Sequence, residues 1–142
     1  MNIDSIQNGI VIDHITAGKA MQLYELLGLD KLDASIAIIK NAHSDKRGKK
    51  DIIKIDADIP VDVDVIGYVD PGATVNVIRD EKLVEKRNIE MPNRLVNVIK
   101  CKNPRCITST EQELVQEFRL TDREKKIYRC IYCEHEAPKS EE

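Results

Sequence analysis

Gly9-Ile10-Val11-Ile12-Asp13-His14-Ile15 carries β-branched residues at four of its seven positions. Its Ile and Val side chains suit the pleated, half-buried surface of a β-strand. Thr16 stands where it can cap a following helix, in which Ala20, Leu23, Tyr24 and Leu27 recur at helical spacing. Gly28 supplies the stop. Ser35 to Lys40 and Asp51 to Asp56 read as two more strands, joined by a polar loop from Asn41 to Lys50 around Gly48. Pro60 to Val69 reads as a short helix, with Pro and Asp in its first turn. Ala73 to Arg79 and Lys82 to Lys86 then form a strand pair around Asp80-Glu81. The order is β-α-β-β-α-β with one extra strand. That predicts an α+β class and the split βαβ, or ferredoxin-like, arrangement.

The remainder of the 142-residue chain has a different character. All four cysteines (Cys101, Cys106, Cys130 and Cys133) fall in the last third. Up to Pro92 there are 12 basic and 16 acidic residues, a net of −4; from Asn93 onward there are 10 and 9, a net of +1. Met91-Pro92-Asn93 lies at the change, and proline there disfavours a continuous helix or central strand. The expected domains are therefore residues 1–92 and 93–142. The acidic end, Lys139 to Glu142, is expected to fray.

Composition excludes several functional classes. Aromatic residues are only 4% of the chain, with Phe118 the single Phe and no Trp, so the core must be built from Ile, Val and Leu. No run of 18 apolar residues is present to span a membrane. The opening Met-Asn-Ile-Asp-Ser-Ile lacks the charged and apolar regions of a signal peptide, so a cytoplasmic location is expected. The net charge of −3 argues against a protein that lives on bulk nucleic acid.

The cysteines are spaced Cys-x4-Cys, then a gap of 23 residues, then Cys-x2-Cys. Each close pair brings two sulfurs to one ion from a tight turn, and two turns complete a tetrahedron. Zn²⁺ accepts four thiolates with no geometric demand of its own, which points to one closed, structural zinc per chain. Lys100, Lys102, Arg105 and Arg129 flank the cysteines and could offset the negative charge of such a site. Two disulfides and a rubredoxin-type iron are the alternatives; a reducing compartment disfavours the first and the wider first pair the second. Four cysteines leave no open position for catalytic zinc, and His135 reads as a surface residue rather than a fifth ligand. So short a segment buries little apolar surface, so the metal is expected to carry its folding. A small β-rich zinc ribbon, rubredoxin-like in shape, is the expected second fold.

Lys49, Lys50, Lys54, Lys82 and Lys86 stand out in the acidic first part. Ile53 and Ile55 share one strand face, which sends Lys54 to the other. On spacing alone these lysines line a solvated sheet face; if their strands are neighbours they form a patch suited to phosphates. Asp13 and His14 are adjacent, and neighbours on a regular strand point to opposite faces, so they do not form an acid–base dyad. No Gly-rich phosphate loop, Gly-x-Ser-x-Gly or His-Glu-x-x-His is present. The chain is not expected to be an enzyme. On these features a zinc-ribbon module that binds nucleic acid is the rival reading, with salt-dependent binding as its signature.

Several segments taken together resemble a known family. They are Gly9 to Ile15, Gly48-Lys-Lys-Asp-Ile-Ile-Lys-Ile55, Ala73-Thr-Val-Asn-Val-Ile78, Asn97-Val-Ile-Lys-Cys-Lys-Asn-Pro-Arg-Cys-Ile-Thr108 and Tyr128-Arg-Cys-Ile-Tyr-Cys133. In that order they resemble the regulatory chains of aspartate carbamoyltransferase, across essentially the whole length. The resemblance implies a noncatalytic subunit in pyrimidine biosynthesis, with a nucleotide-binding allosteric domain and a zinc domain that docks on catalytic chains. It implies dimers of regulatory chains, joined to catalytic trimers, with CTP, ATP and UTP as effectors. Carried over by position, Asp13, His14, Lys50, Lys54, Asn76 and Lys86 lie at the effector site, together with a strand at Ile3 to Ile6. The zinc ligands become Cys101, Cys106, Cys130 and Cys133. Glu81 and Glu85 depart from the family pattern, and would oppose a phosphate near Lys86 by like-charge repulsion.

Overall fold

A computed structural model describes residues 6–45, 48–111 and 113–137. The chain divides into two compact units, Met1–Glu90 and Met91–Glu142. The expected strand at Ile3 to Ile6 and the acidic end at Lys139 to Glu142 fall on or run into residues outside the described set; Ile6 itself is not in a strand.

In the first unit the elements run β1 (Gly9–Thr16), α1 (Ala20–Leu26), β2 (Ser35–Ser44), β3 (Gly48–Asp56), α2 (Val63–Val69), β4 (Thr74–Arg79) and β5 (Lys82–Asn88). The sheet order is β2-β3-β1-β4-β5, and every neighbouring pair is antiparallel. That is the ferredoxin-like order with β5 added at one edge. Alternation along the strands separates the two faces. Ile10, Ile12, Ile53, Ile55 and Val75 are buried with Ala20 and Leu23 of α1 and Ile66 and Val69 of α2 in one core. Gly9 permits a close approach: a Cβ there would lie 2.1 Å from the Ile55 carbonyl oxygen.

Local boundaries differ from the sequence expectation in three places. Thr16 does not cap α1: it ends β1, and its N–H donates to the Asp70 carboxylate, while the helix starts at Ala20 without a side-chain cap. The expected loop from Asn41 to Lys50 is mostly ladder, because β2 and β3 continue as a hairpin with Ser44 opposite Gly48. Both arms are polar there, so the ladder carries no apolar alternation to read. Pro60 lies before α2; the cap is Asp62, whose carboxylate accepts from the N–H groups of Asp64 and Val65. Gly28 does terminate the α1 region, at φ 70°, where a glycine carries no Cβ penalty. Asp80 and Glu81, both at positive φ, form the two-residue turn between β4 and β5.

The second unit is a three-stranded antiparallel sheet in the order β6 (Arg94–Val96), β7 (Glu117–Asp122), β8 (Ile127–Cys130). Leu95, Phe118 and Tyr128 are its large buried side chains, beside buried Cys101, Cys106 and Cys130. Its cysteine cluster fits a zinc ribbon. Among the described residues no helix is long and apolar enough to cross a membrane.

Candidate functional site

Loops at opposite ends of the second unit's sequence supply the four cysteines. Cys101 follows β6, and Cys106 precedes a 3-10 turn at Ile107–Ser109. Cys130 ends β8, with Cys133 in the turn that follows. Their sulfurs lie within 4.8 Å of one another. The Cys101–Cys133 and Cys106–Cys130 sulfurs are 3.6 and 3.7 Å apart. With four bonds of about 2.3 Å, a tetrahedral Zn²⁺ requires sulfur–sulfur edges of about 3.8 Å. The cluster therefore fits one four-thiolate metal, and all four cysteines are free rather than disulfide-bonded.

The surroundings are arranged for thiolates. The Thr108 hydroxyl donates to the Cys106 sulfur at 3.1 Å, and the Cys101 N–H is held by the Gln116 side chain at 3.1 Å. The backbone N–H groups of Asn103, Tyr132 and His135 donate to cysteine sulfurs. Without an ion, burial pushes the Cys101 thiol up to about 12 and raises Cys130 as well. Cys133 is also raised by burial, but the Asn103 side chain, the His135 N–H and neighbouring thiols outweigh this and bring it to about 7. Metal entry thus has to displace protons that burial retains. His135 is exposed and stands outside the sulfur cluster. Lys100, Lys102 and Arg105 are exposed, whereas Arg129 is engaged by Glu136 at 3.1 Å and Arg94 by Glu117 at 3.1 Å.

The second candidate region is the sheet face of the first unit that turns away from α1 and α2. Register places Ala37, Lys54, Val11, Asn76 and Lys86 opposite one another, one residue from each strand. Lys54, Asn76 and Lys86 thus form a single row across β3, β4 and β5. The Oδ1 atom of Asn76 is buried and has no hydrogen-bond partner, an acceptor left without the donor that buried polar groups ordinarily find. Two residues along β1 from Val11, Asp13 meets Lys50 at 3.0 Å. Burial works to raise the Asp13 carboxyl, but the bonds from Lys50 and from the His14 N–H outweigh it and hold the group below its ordinary value of 3.8.

Asp13 and His14 sit in a β-bulge between the pairs Ile12–Ile53 and Ile15–Asp51, with His14 at φ 57°. The strict alternation expected of a regular strand does not hold there. Their partners nevertheless diverge: Asp13 bonds Lys50 of β3, while the His14 Nδ1 atom lies 3.1 Å from the Thr74 hydroxyl of β4. Glu85 is opposite Val77, and with Arg87 and Val75 it lines a cavity on the helix side of the sheet. It faces away from Lys86, so the repulsion expected from its sequence position is weakened by direction. Glu81 is in the turn, with its N–H on the Gln7 carbonyl.

Asp51 is an organising residue that no sequence motif singles out. It is fully buried and accepts from Gly18 at 2.9 Å, Ala20 at 3.2 Å and Asn41 at 3.0 Å. Asn41 is the positive-φ residue of a second bulge, in β2. One carboxylate therefore ties together the turn after β1, the start of α1 and the β2 bulge. Its signal was legible: 51, 53 and 55 share the apolar strand face, and an acid there requires buried donors.

Residues 1–90 match the family described as "Aspartate carbamoyltransferase regulatory chain, allosteric domain", and residues 93–141 match its "metal binding domain". Curated proteins named as aspartate carbamoyltransferase regulatory chains are similar over nearly the whole length. One from Clostridium botulinum is 51% identical over 134 residues, covering 94% of this chain and 92% of the relative. One from Clostridium tetani is 48% identical, covering 94% of each chain. One from Bifidobacterium longum is 47% identical, covering 96% of this chain and 99% of the relative.

Proposed function

The chain belongs to the family of aspartate carbamoyltransferase regulatory chains, and from that premise we propose that it binds CTP, ATP and UTP and couples them to catalytic trimers. In this reading residues 1–92 form the nucleotide-binding domain and residues 93–142 the docking domain, in the cytoplasm. The subunit is non-catalytic.

The observation that carries the nucleotide reading is the row of Lys54, Asn76 and Lys86 beside the Asp13–Lys50 pair. Ammonium groups of Lys54 and Lys86 suit phosphate oxygens, with each charge-assisted bond contributing about 1.5–3 kcal/mol. The unpartnered Asn76 oxygen suits a hydroxyl or amino donor of the nucleotide, and Asp13 another. Lys50 orients Asp13, and His14 completes the rim. Nucleotide moves the assembly between states only by binding one of them better, and the coupling expected is about 1–3 kcal/mol.

Docking is supported by the exposed side chains of Val96, Ile107, Val115, Ile131 and Tyr132 on the second unit. Pairing of regulatory chains is supported by exposed Leu83 and Val84 on edge strand β5. Zinc, when bound through Cys101, Cys106, Cys130 and Cys133, supplies a four-way cross-link between the two cysteine loops. The cysteines hold it, Thr108 and the backbone N–H groups stabilise their charge, and the sheet positions the loops.

Calorimetric titration of the full, zinc-loaded chain with CTP and ATP tests the site. Lys54→Ala and Lys86→Ala should each raise the Kd about tenfold or more, the factor one charge-assisted bond carries. Zinc content and binding to catalytic chains should not change. Unaltered Kd values in both variants would refute the assignment.

A further inference from the structure

The segment joining the units is held from both sides, with one residue between the anchors. On the first unit's side, Ile89 is buried in the core and its N–H donates to the Ala73 carbonyl at 3.4 Å. On the second unit's side, three consecutive residues are tied to β7, β8 and the turn between them. The Arg123 guanidinium donates to the Met91 carbonyl at 3.4 Å and to the Asn93 side chain at 2.7 Å. The Tyr128 hydroxyl donates to the Pro92 carbonyl at 2.7 Å, and the Leu120 N–H donates to the Asn93 carbonyl at 2.9 Å. Glu90, exposed, lies between.

We propose that Arg123 and Tyr128 are positioning residues that fuse Met91–Asn93 to the zinc unit and confine the chain's hinge to Glu90. Tyr128 lies two residues before the metal-ligating Cys130 on the same strand, so the strap and the metal site share one rigid element. A short hinge transmits displacement: with only the torsions around Glu90 free, movement of Ile89 reaches the zinc unit instead of dissipating in slack chain. Three anchored residues restrict the backbone further, since proline fixes its own φ and limits the residue before it. The idea rests on the regulatory reading above, because it concerns how an effector signal leaves the first unit.

The test uses the full chain, alone and reassembled with catalytic trimers. In the double variant Arg123→Ala with Tyr128→Phe, the Leu120 amide should exchange with solvent faster than in the parent chain. The activity change on saturating CTP or ATP should shrink at least about fivefold, the equilibrium factor of one of the three hydrogen bonds removed. Nucleotide Kd of the chain alone, zinc content and assembly should stay as they were. An unaltered effector response together with unaltered Leu120 exchange would overturn the proposal. If the double variant loses zinc, insertion of two glycines after Glu90 decides: it alters no buried residue, and a full response in that chain refutes the short-hinge requirement. A parent assembly indifferent to nucleotide would count against the regulatory reading, while Leu120 exchange still decides whether Arg123 and Tyr128 anchor the strap.

Discussion

Asp51→Asn isolates the carboxylate on which the first unit's geometry depends. In the parent chain one oxygen accepts from Gly18 and Ala20 and the other from Asn41. Asparagine retains a carbonyl for the first two donors and turns an NH2 group toward the third. One hydrogen bond is therefore replaced by two opposed donors, and the charge assistance of the other two is lost. A bond to a charged group is worth about 1.5–3 kcal/mol, and an unsatisfied buried donor costs about 1–3 kcal/mol, so a loss of about 3 kcal/mol is expected. For a unit of this size each kcal/mol moves the midpoint by roughly 4–8 °C, which gives a fall on the order of 15 °C. Thermal unfolding followed by circular dichroism, with zinc release recorded in parallel, separates the first unit from the second. Asp56→Asn, at the exposed end of the same strand, serves as the control and should leave the midpoint unchanged. A fall of less than about 4 °C for Asp51→Asn would mean that the three donors find other partners and that the carboxylate is not needed to hold them.

The remaining expectations concern the two sites. Asp13 should titrate below its ordinary 3.8 in an NMR titration, and Lys50→Ala should move it upward; no movement would show that the pair is not formed. Since the native value is depressed, the stability contributed by Asp13 is present above 3.8 and is lost as pH falls through the lowered native value. Chelation of zinc, or Cys106→Ala, should unfold the second unit and leave the first folded, since three large side chains (Leu95, Phe118 and Tyr128) are a slight core without metal. Proteolysis mapping checks this, and protection of residues 93–137 after zinc removal would contradict it.

The order of elements in the first unit was legible because its strands obey strong rules. Gly9 to Ile15, Asp51 to Asp56 and Thr74 to Arg79 are rich in β-branched residues, burial alternates along Asp51 to Asp56, and Gly28 marks a helix end. What escaped reading was irregular or polar. The hairpin beyond Asn41 has hydrogen-bonded ladder without apolar alternation, and the bulge at Asp13–His14 arises from register with a strand far away in sequence. The cysteine site was legible from spacing because ligand chemistry constrains it tightly. The row of Lys54, Asn76 and Lys86 was not, because it exists only once β3, β1, β4 and β5 are laid side by side. Family resemblance pointed to those residues, while the register supplies the physical reason that they share a face. The opposite orientation of Glu85 has the same origin, one strand position away from Lys86.

One chain is proposed to join nucleotide binding to an enzyme's catalytic trimers through a metal-held unit. The most direct test is the aspartate carbamoyltransferase activity of catalytic trimers mixed with this chain, with and without zinc, across a titration of CTP and of ATP. A nucleotide-dependent change in activity is expected, one that requires the zinc-loaded chain and disappears with Lys54→Ala or Lys86→Ala. Activity that ignores both nucleotides while the zinc-loaded chain is stably bound would contradict it.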